Sequence, residues 1–354
     1  MLEEVERWLT KRSWSAADRP LSALVAAKRR SGSTVSVVLP ALNEEATVGA
    51  IVAEIRRSLM EAVPLVDELV VIDSGSTDRT SQEAAAAGAR VVHRDVILPR
   101  MPAVPGKGEV LWRSLMVTSG DIVCFVDADL KDFSPDFVSG IVGPLLTEPD
   151  VDFVKAMYDR PLGSAPGQGG RVTELMARPV LNLHWPHLAG FVQPLGGEYA
   201  VRRSLLEQLP FPVGYGVELG LLVDALHTVG LDALAQVDVG VRVHRHQDGL
   251  ALGRMAAAIY RTAQLRLARG HLVRPELTQF ERGDDGFVAR TTKVDTEERP
   301  PMIEITEYRG GRLAGTPQEP LPEHTAHTRL PDSYHRRTGG GGPPPPPRPP
   351  AGGR

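Results

Sequence analysis

The feature that most constrains this chain is a plan that repeats along its first third: an apolar run, a polar loop, then an amphipathic stretch. Val35-Ser36-Val37-Val38-Leu39 reads as a strand and leads into Pro40-Ala41-Leu42-Asn43-Glu44-Glu45. Val48, Ile51, Val52 and Ile55 follow at helical spacing. Asn43 or Glu44 is placed to cap or charge the start of that helix. Glu68 to Ile72 repeats the strand, Asp73-Ser74-Gly75-Ser76-Thr77-Asp78 the loop, and an Ala-rich helix runs through Ala87 to stop at Gly88. Ala89 to Val92 is a further short strand, and Lys107, between Gly106 and Gly108, precedes a helical segment from Val110 to Val117. The run Asp121 to Val126 then delivers Asp127-Ala128-Asp129. Such alternation predicts an α/β fold, a mostly parallel sheet with helices on both faces. The loops at the strand ends then converge on one crevice.

Two carboxylates one residue apart, just past a buried strand, can reach a single hard divalent cation that also touches a substrate diphosphate. A bare Asp-X-Asp can equally be a strand end turning into solvent. Asp73 to Ser76 could be a plain turn and helix cap, and Lys107 a solvated loop tip. No Gly-x-Gly-x-x-Gly follows the first strand, and no P-loop pattern is present. From the residues alone, the reading stops at a nucleotide-binding α/β protein.

The net charge of −4 leaves no nucleic-acid footprint. No apolar run reaches the roughly 18 residues of a spanning helix, and no signal-peptide pattern precedes the first motif, so the cytoplasm is the expected compartment. Cys124 is the one cysteine and falls inside a predicted buried strand, which makes it a core residue. Four segments are expected. Residues 1–33 are a helical, basic and solvated lead-in, and 34–130 a nucleotide-binding half. Residues 131–307 form an acceptor half with C-terminal helices, and 308–354 a disordered Gly/Pro-rich tail. Leu145 to Pro166, with the glycines from Gly163 to Gly170, reads as a mobile loop entering the acceptor region.

The ordered motifs from Val37 to Glu44, Val71 to Asp78, Gly106 to Gly108 and Phe125 to Asp129 resemble the nucleotide-sugar domain of GT-A glycosyltransferases. Gly169 to Leu175, Gln193 to Tyr199, Gly214 to Gly220 and Val241 to Arg245 narrow this. They are similar to the glucosyl-3-phosphoglycerate synthases, retaining enzymes of glycosyltransferase family 81. The likeness covers roughly residues 14 to 275. It implies transfer of glucose from UDP-glucose (or GDP-glucose) to the 2-hydroxyl of 3-phosphoglycerate, with Mg²⁺ or Mn²⁺, by a homodimer. The alternatives are mannosyl transfer from GDP-mannose or another metal-dependent GT-A activity. A lipid-phosphate transferase would need a membrane anchor, and a nucleotidyltransferase a Gly- and Arg/Lys-rich loop after its first strand. A non-catalytic nucleotide-binding regulator is the remaining class, and a turnover assay separates it.

The resemblance also implies roles. Pro40, Ala41, Leu42, Glu44 and Ser74 hold uracil and ribose. Asp129 and His244 bind the metal, with Asp127 and Ala128 beside them and Asp127 reaching the metal through water or holding ribose. Lys107 and Arg242 neutralise diphosphate charge, which grows on the leaving oxygens as the C1–O bond breaks. Glu218, next to Tyr215, binds hydroxyls of the transferred sugar; a helix-start role is its alternative. With Asp129 and Lys107 it forms the expected catalytic group. Gly170, Arg171, Val172, Thr173 and His246 take the acceptor, where the backbone can approach an anion and Arg171 can bind it bidentately. His246 departs from the family, which tends to carry Asn there.

Overall fold

The computed structural model describes residues 2–160, 170–242, 249–267, 276–283, 286–294 and 297–313. Strands are β1 (Ser13–Ser15), β2 (Val35–Ala41), β3 (Glu68–Asp73), β4 (Arg90–His93), β5 (Ile122–Phe125) and β6 (Phe153–Asp159). After them come β7 (Tyr199–Arg202), β8 (Phe211–Pro212), β9 (Leu234–Val241), β10 (Glu276–Gly283), β11 (Gly286–Lys293) and β12 (Glu298–Arg299). The first helices are α1 (Glu3–Arg12), α2 (Leu21–Ser31), α3 (Val48–Ile55), α4 (Thr80–Ala86), α5 (Lys107–Val117) and α6 (Asp136–Thr147). The later ones are α7 (Arg178–His184), α8 (Arg203–Leu206), α9 (Val217–Val229), α10 (Gly249–Leu267) and α11 (Thr306–Leu313).

Eight strands form one sheet in the order β1-β9-β6-β7-β5-β2-β3-β4, and β7 alone runs antiparallel to its neighbours. Side chains alternate between its faces. Val37, Leu39, Val71 and Cys124 enter one apolar layer with α2, α3 and α6, whereas Val38, Val70, Ile72 and Phe125 enter the other with α5 and α9. Burial on both faces explains why these strands read as continuous apolar runs.

Four expectations need correction. The N-terminal segment is no solvated lead-in: β1 is an edge strand, and the buried Trp8 donates its Nε1–H to Leu234 O at 2.7 Å. Its basic stretch is partly satisfied internally, since Lys28 pairs with Asp67 at 2.7 Å. Residues 145–159 hold the end of α6, a short turn and strand β6, because Phe153, Val154 and Ala156 are core residues; 161–169 lie outside the described residues. The N-cap of α3 is Thr47 and not Asn43 or Glu44, although Glu44 O accepts from Val48 N–H at 3.0 Å. The tail does not begin at Tyr308, which is buried in α11 and accepts a hydrogen bond from Arg203 Nη1 at 3.2 Å. Residues 314–354 lie outside the described residues.

Candidate active site

The loops after β2 and β3 lock together reciprocally. Asn43 stands in the left-handed region with φ 58°. Its N–H donates to Ser76 Oγ at 3.0 Å and its Oδ1 accepts from Thr77 N–H at 2.9 Å. Glu44 N–H donates to Thr80 Oγ1 at 2.8 Å. Thr47 Oγ1 donates to Ala128 O at 2.6 Å, tying the first loop to the aspartate pair. Burial alone would push the Asp73 carboxyl up, but Ser81 and the N–H groups of Ser76 and Gly75 outweigh that and hold it below its ordinary value.

Lys107 is not a solvated loop tip; it opens α5, and Gly106 and Gly108 explain why. A Cβ on either would strike the backbone around Pro212 and Val213, and Gly106 has φ 137°. Glu109 N–H donates to Val213 O at 3.1 Å. The Gly-Lys-Gly sequence therefore lets α5 start flush against β8, with Lys107 aimed inward.

There Lys107 Nζ contacts Asp127 Oδ1 and lies 2.9 Å from Glu218 Oε1. On the opposite side Arg242 Nη2 is 2.8 Å from Asp127 Oδ2 and 3.2 Å from Asp129 Oδ1, while its Nε donates to Glu198 Oε1 at 2.9 Å. Burial acts to raise the Asp127 carboxyl, yet Lys107 and Arg242 reverse this and hold it well below the usual range. Asp129 shifts the other way, raised first by burial and next by the negative charge of Asp127. Gly197 completes the pinch, since any Cβ there would collide with the Asp127 carboxylate and Lys107 Nζ.

These groups line a cleft of about 920 Å³. Pro40, Ala41, Leu42, Glu44 and Ser74 line it from the β2–β3 side of the sheet; Lys107, Asp127, Ala128, Asp129, Tyr215, Glu218 and Arg242 line it too, and Gly170, next to Arg160 beyond β6, does so with Arg171, Val172 and Thr173. Every site residue anticipated from the sequence that is described thus lines this one cleft; His244 and His246 lie outside the described residues. Lys107 and Arg242, anticipated as diphosphate partners, are already engaged with carboxylates.

Other residues were missed. Arg160, Arg254 and Lys293 also line the cleft, and Glu198, fully buried, anchors Arg242 and accepts from Tyr158 Oη at 2.7 Å. Glu198 sits inside the motif Gln193 to Tyr199, which was the available signal. Lys293 had none, because nothing local predicts that β11 folds back onto the cleft.

Residues 36–193 match the family model for glycosyl transferase family 2. The glucosyl-3-phosphoglycerate synthase of Mycolicibacterium smegmatis is 51% identical over 303 residues, covering 84% of this chain and 98% of that protein. The chain belongs to the glucosyl-3-phosphoglycerate synthase family. It is a glycosyltransferase, and its GT-A likeness agrees with the sheet described above. The crystal structure of the Mycobacterium tuberculosis synthase with Mn²⁺, UDP and phosphoglyceric acid superposes with a TM-score of 0.74 at 49% identity. That match covers 80% of this chain and 94% of the other. A mannosyl-3-phosphoglycerate synthase from Rubrobacter xylanophilus is also similar, with TM-score 0.79 at 41% identity, covering 84% and 97%. No helix among the described residues is long and apolar enough to cross a membrane.

Proposed function

We propose that the enzyme transfers glucose from UDP-glucose to the 2-hydroxyl of 3-phosphoglycerate, with retention at the anomeric carbon and with Mg²⁺ or Mn²⁺. The observation that carries this reading is the continuity of the cleft. Asp127, clamped between Lys107 and Arg242, and its neighbour Asp129 share one cleft with Arg171 and Thr173, so a diphosphate and a small anion can meet there. Pro40, Ala41, Leu42, Glu44 and Ser74 then hold the uridine, and Gly170 to Thr173 with His246 the acceptor.

The donor set fits a hard cation. Among the described residues no three His, Cys, Asp or Glu side chains cluster as a ready metal cage. Magnesium-type sites nevertheless commonly use one or two carboxylates and take the rest from substrate phosphates and water. Asp129, whose carboxylate is disfavoured by burial and by Asp127, is the group a cation would relieve, with His244 as its partner ligand. When bound, the ion stabilises charge growing on the departing diphosphate.

The chain's own residues do the remainder. Lys107 and Arg242 stand where they can be shared between Asp127 and the diphosphate. Glu218, its side chain 7% exposed and paired with Lys107, offers acceptor oxygens to sugar hydroxyls. In the transfer the C1–O bond to the diphosphate breaks and a bond from the acceptor oxygen to C1 forms on the same face. The hydroxyl proton passes to the departing phosphate. Asp127, the carboxylate that shares Lys107 with Glu218, is already held by Lys107 and Arg242, so this route is preferred to a covalent intermediate on a second carboxylate. A homodimer, implied by the family resemblance, and the cytoplasmic setting expected from the sequence belong to the same proposal.

Mannosyl transfer is not favoured, since the glucosyl relative is the more identical, 51% against 41%. The test is incubation with UDP-glucose, GDP-glucose or GDP-mannose, each with 3-phosphoglycerate and Mg²⁺, following nucleoside diphosphate release. UDP-glucose should turn over fastest, with the α-anomer of the product seen by NMR. Faster turnover with GDP-mannose would overturn the reading.

A further inference from the structure

Lys155 occupies a place where an aliphatic residue would be expected. It lies on β6 two residues beyond the core residue Phe153, opposite Tyr199 on β7, and is 1% exposed. Its Nζ sits 4.8 Å from the centroid of the Tyr199 ring. Of its three donor protons, one has a protein acceptor among the described residues, Gly196 O at 2.7 Å. A wholly buried ammonium with a single acceptor is costly, and such groups persist where they do something a hydrocarbon cannot.

Gly196 belongs to the segment Gln193-Pro194-Leu195-Gly196-Gly197, whose Leu195 and Gly197 line the cleft and whose Gly197 abuts Asp127 and Lys107. The segment is tightly folded: Gly196 N–H donates to Gln193 O at 3.0 Å, and Gln193 Nε2 donates to Tyr158 O at 3.1 Å. A Cβ on Gly196 would come within 2.8 Å of Tyr158 Oη. Lys155 itself does not line the cleft.

We infer that Lys155 is a positioning residue for glycosyl transfer, tethering the Gln193–Gly197 segment from beneath so that it forms a fixed wall against the reacting groups. This rests on the transfer reading above. Charge supports it from a second direction. Burial pushes the ammonium down to about 8, while Glu218 and Glu198 pull the other way and Lys107 and Arg160 oppose them. Asp127, Asp129, Glu198 and Glu218 are therefore faced by Lys107, Arg160, Arg242 and, from below the wall, Lys155. The tether holds the wall, while the other three cations line the cleft itself beside the carboxylates.

The test compares the full-length wild type with Lys155→Met, which keeps an unbranched apolar stem and removes the donor, and Lys155→Gln, which keeps an N–H. Three quantities are read: UDP affinity by calorimetry, kcat for transfer, and hydrogen exchange of the amides in residues 193–198. Displacement of a wall by about 1 Å is worth about a hundredfold in rate. Lys155→Met should therefore lose about ten- to hundredfold in kcat, with UDP affinity within about twofold and faster exchange confined to the segment. Lys155→Gln should recover part of both losses. Unchanged exchange in residues 193–198, or a fall in UDP affinity that matches the fall in kcat, would overturn the inference. A wild type that fails to glycosylate 3-phosphoglycerate would instead sink the proposed function, and the exchange comparison would still decide the tether.

Discussion

The two ends of the cleft are built by different means. At the first end Asn43, Glu44, Thr47, Asp73 and Ser76 fix two neighbouring loops with hydrogen bonds between polar side chains and backbone groups. The loops leave adjacent parallel strands, so their geometry follows from the sheet. Beyond β6, Arg160 stands beside Gly170 at the start of the next helical turn, and Lys293 joins the lining from the folded-back β11, far along the chain. Between them lies a buried charge cluster that belongs to neither. The difference teaches that the first end is rigid by local chemistry, whereas the far end is placed by long-range packing and the middle by charge balance.

The comparison is broken most severely at the middle. Asp129→Asn should lower kcat by about a thousandfold, the scale of losing an electrostatic stabiliser of growing charge, and EDTA should do the same to the wild type. The same variant should melt no lower than the wild type in metal-free buffer. In the wild type the folded pKa of Asp129 is raised, so its contribution to stability is fully present below the unfolded value of about 3.9 and is lost as pH rises through the folded value. At neutral pH the charge therefore costs stability, and Asn removes the cost. A melting temperature well below wild type would contradict the charge-balance account.

Arg242→Met should act in the opposite sense. It leaves Asp127, Asp129 and Glu198 without their shared cation, and breaking a buried pair of this kind costs about 3–5 kcal/mol. Urea denaturation should show that loss. A variant as stable as the wild type would mean that the carboxylates are neutral or otherwise compensated.

Arg171→Ala sharpens the contrast between the ends. Losing charge-assisted hydrogen bonds worth about 1.5–3 kcal/mol should weaken 3-phosphoglycerate by about one to two powers of ten and leave UDP binding near wild type. Lys107→Ala should weaken UDP instead. Calorimetry with each substrate alone separates the two. If Arg171→Ala weakened UDP and spared the acid, the assignment of the ends would be reversed.

The smallest effect is expected from the terminus. Removing residues 315–354, rich in Gly and Pro, should leave the melting temperature and kcat close to wild type. Truncation before Tyr308 should lower the melting temperature clearly, since it strips a buried ring and a partner of the buried Arg203. Equal effects from the two truncations would show that the Pro-rich end docks on the enzyme.

Features that depend on neighbours along the chain were legible before any coordinates. The period of Val35 to Leu39, Glu68 to Ile72 and Asp121 to Val126 dictates strands buried on both faces, and the loops that follow them must emerge together at one edge. The order of motifs identified the family and the cleft lining, because each motif is a short segment whose chemistry is complete in itself. Only the tertiary structure decided which charges meet. Asp127 takes Lys107 from 20 residues away and Arg242 from 115, and Lys155 finds Gly196 across 41. The edge strand Ser13–Ser15 and the docked Tyr308 were likewise invisible, because neither segment is apolar enough to announce burial. Their partners Leu234 to Val241 and Arg203 supply the free energy from elsewhere in the chain. Local periodicity records the shape a segment prefers; electrostatic pairing depends on distances that exist only once the sheet has closed.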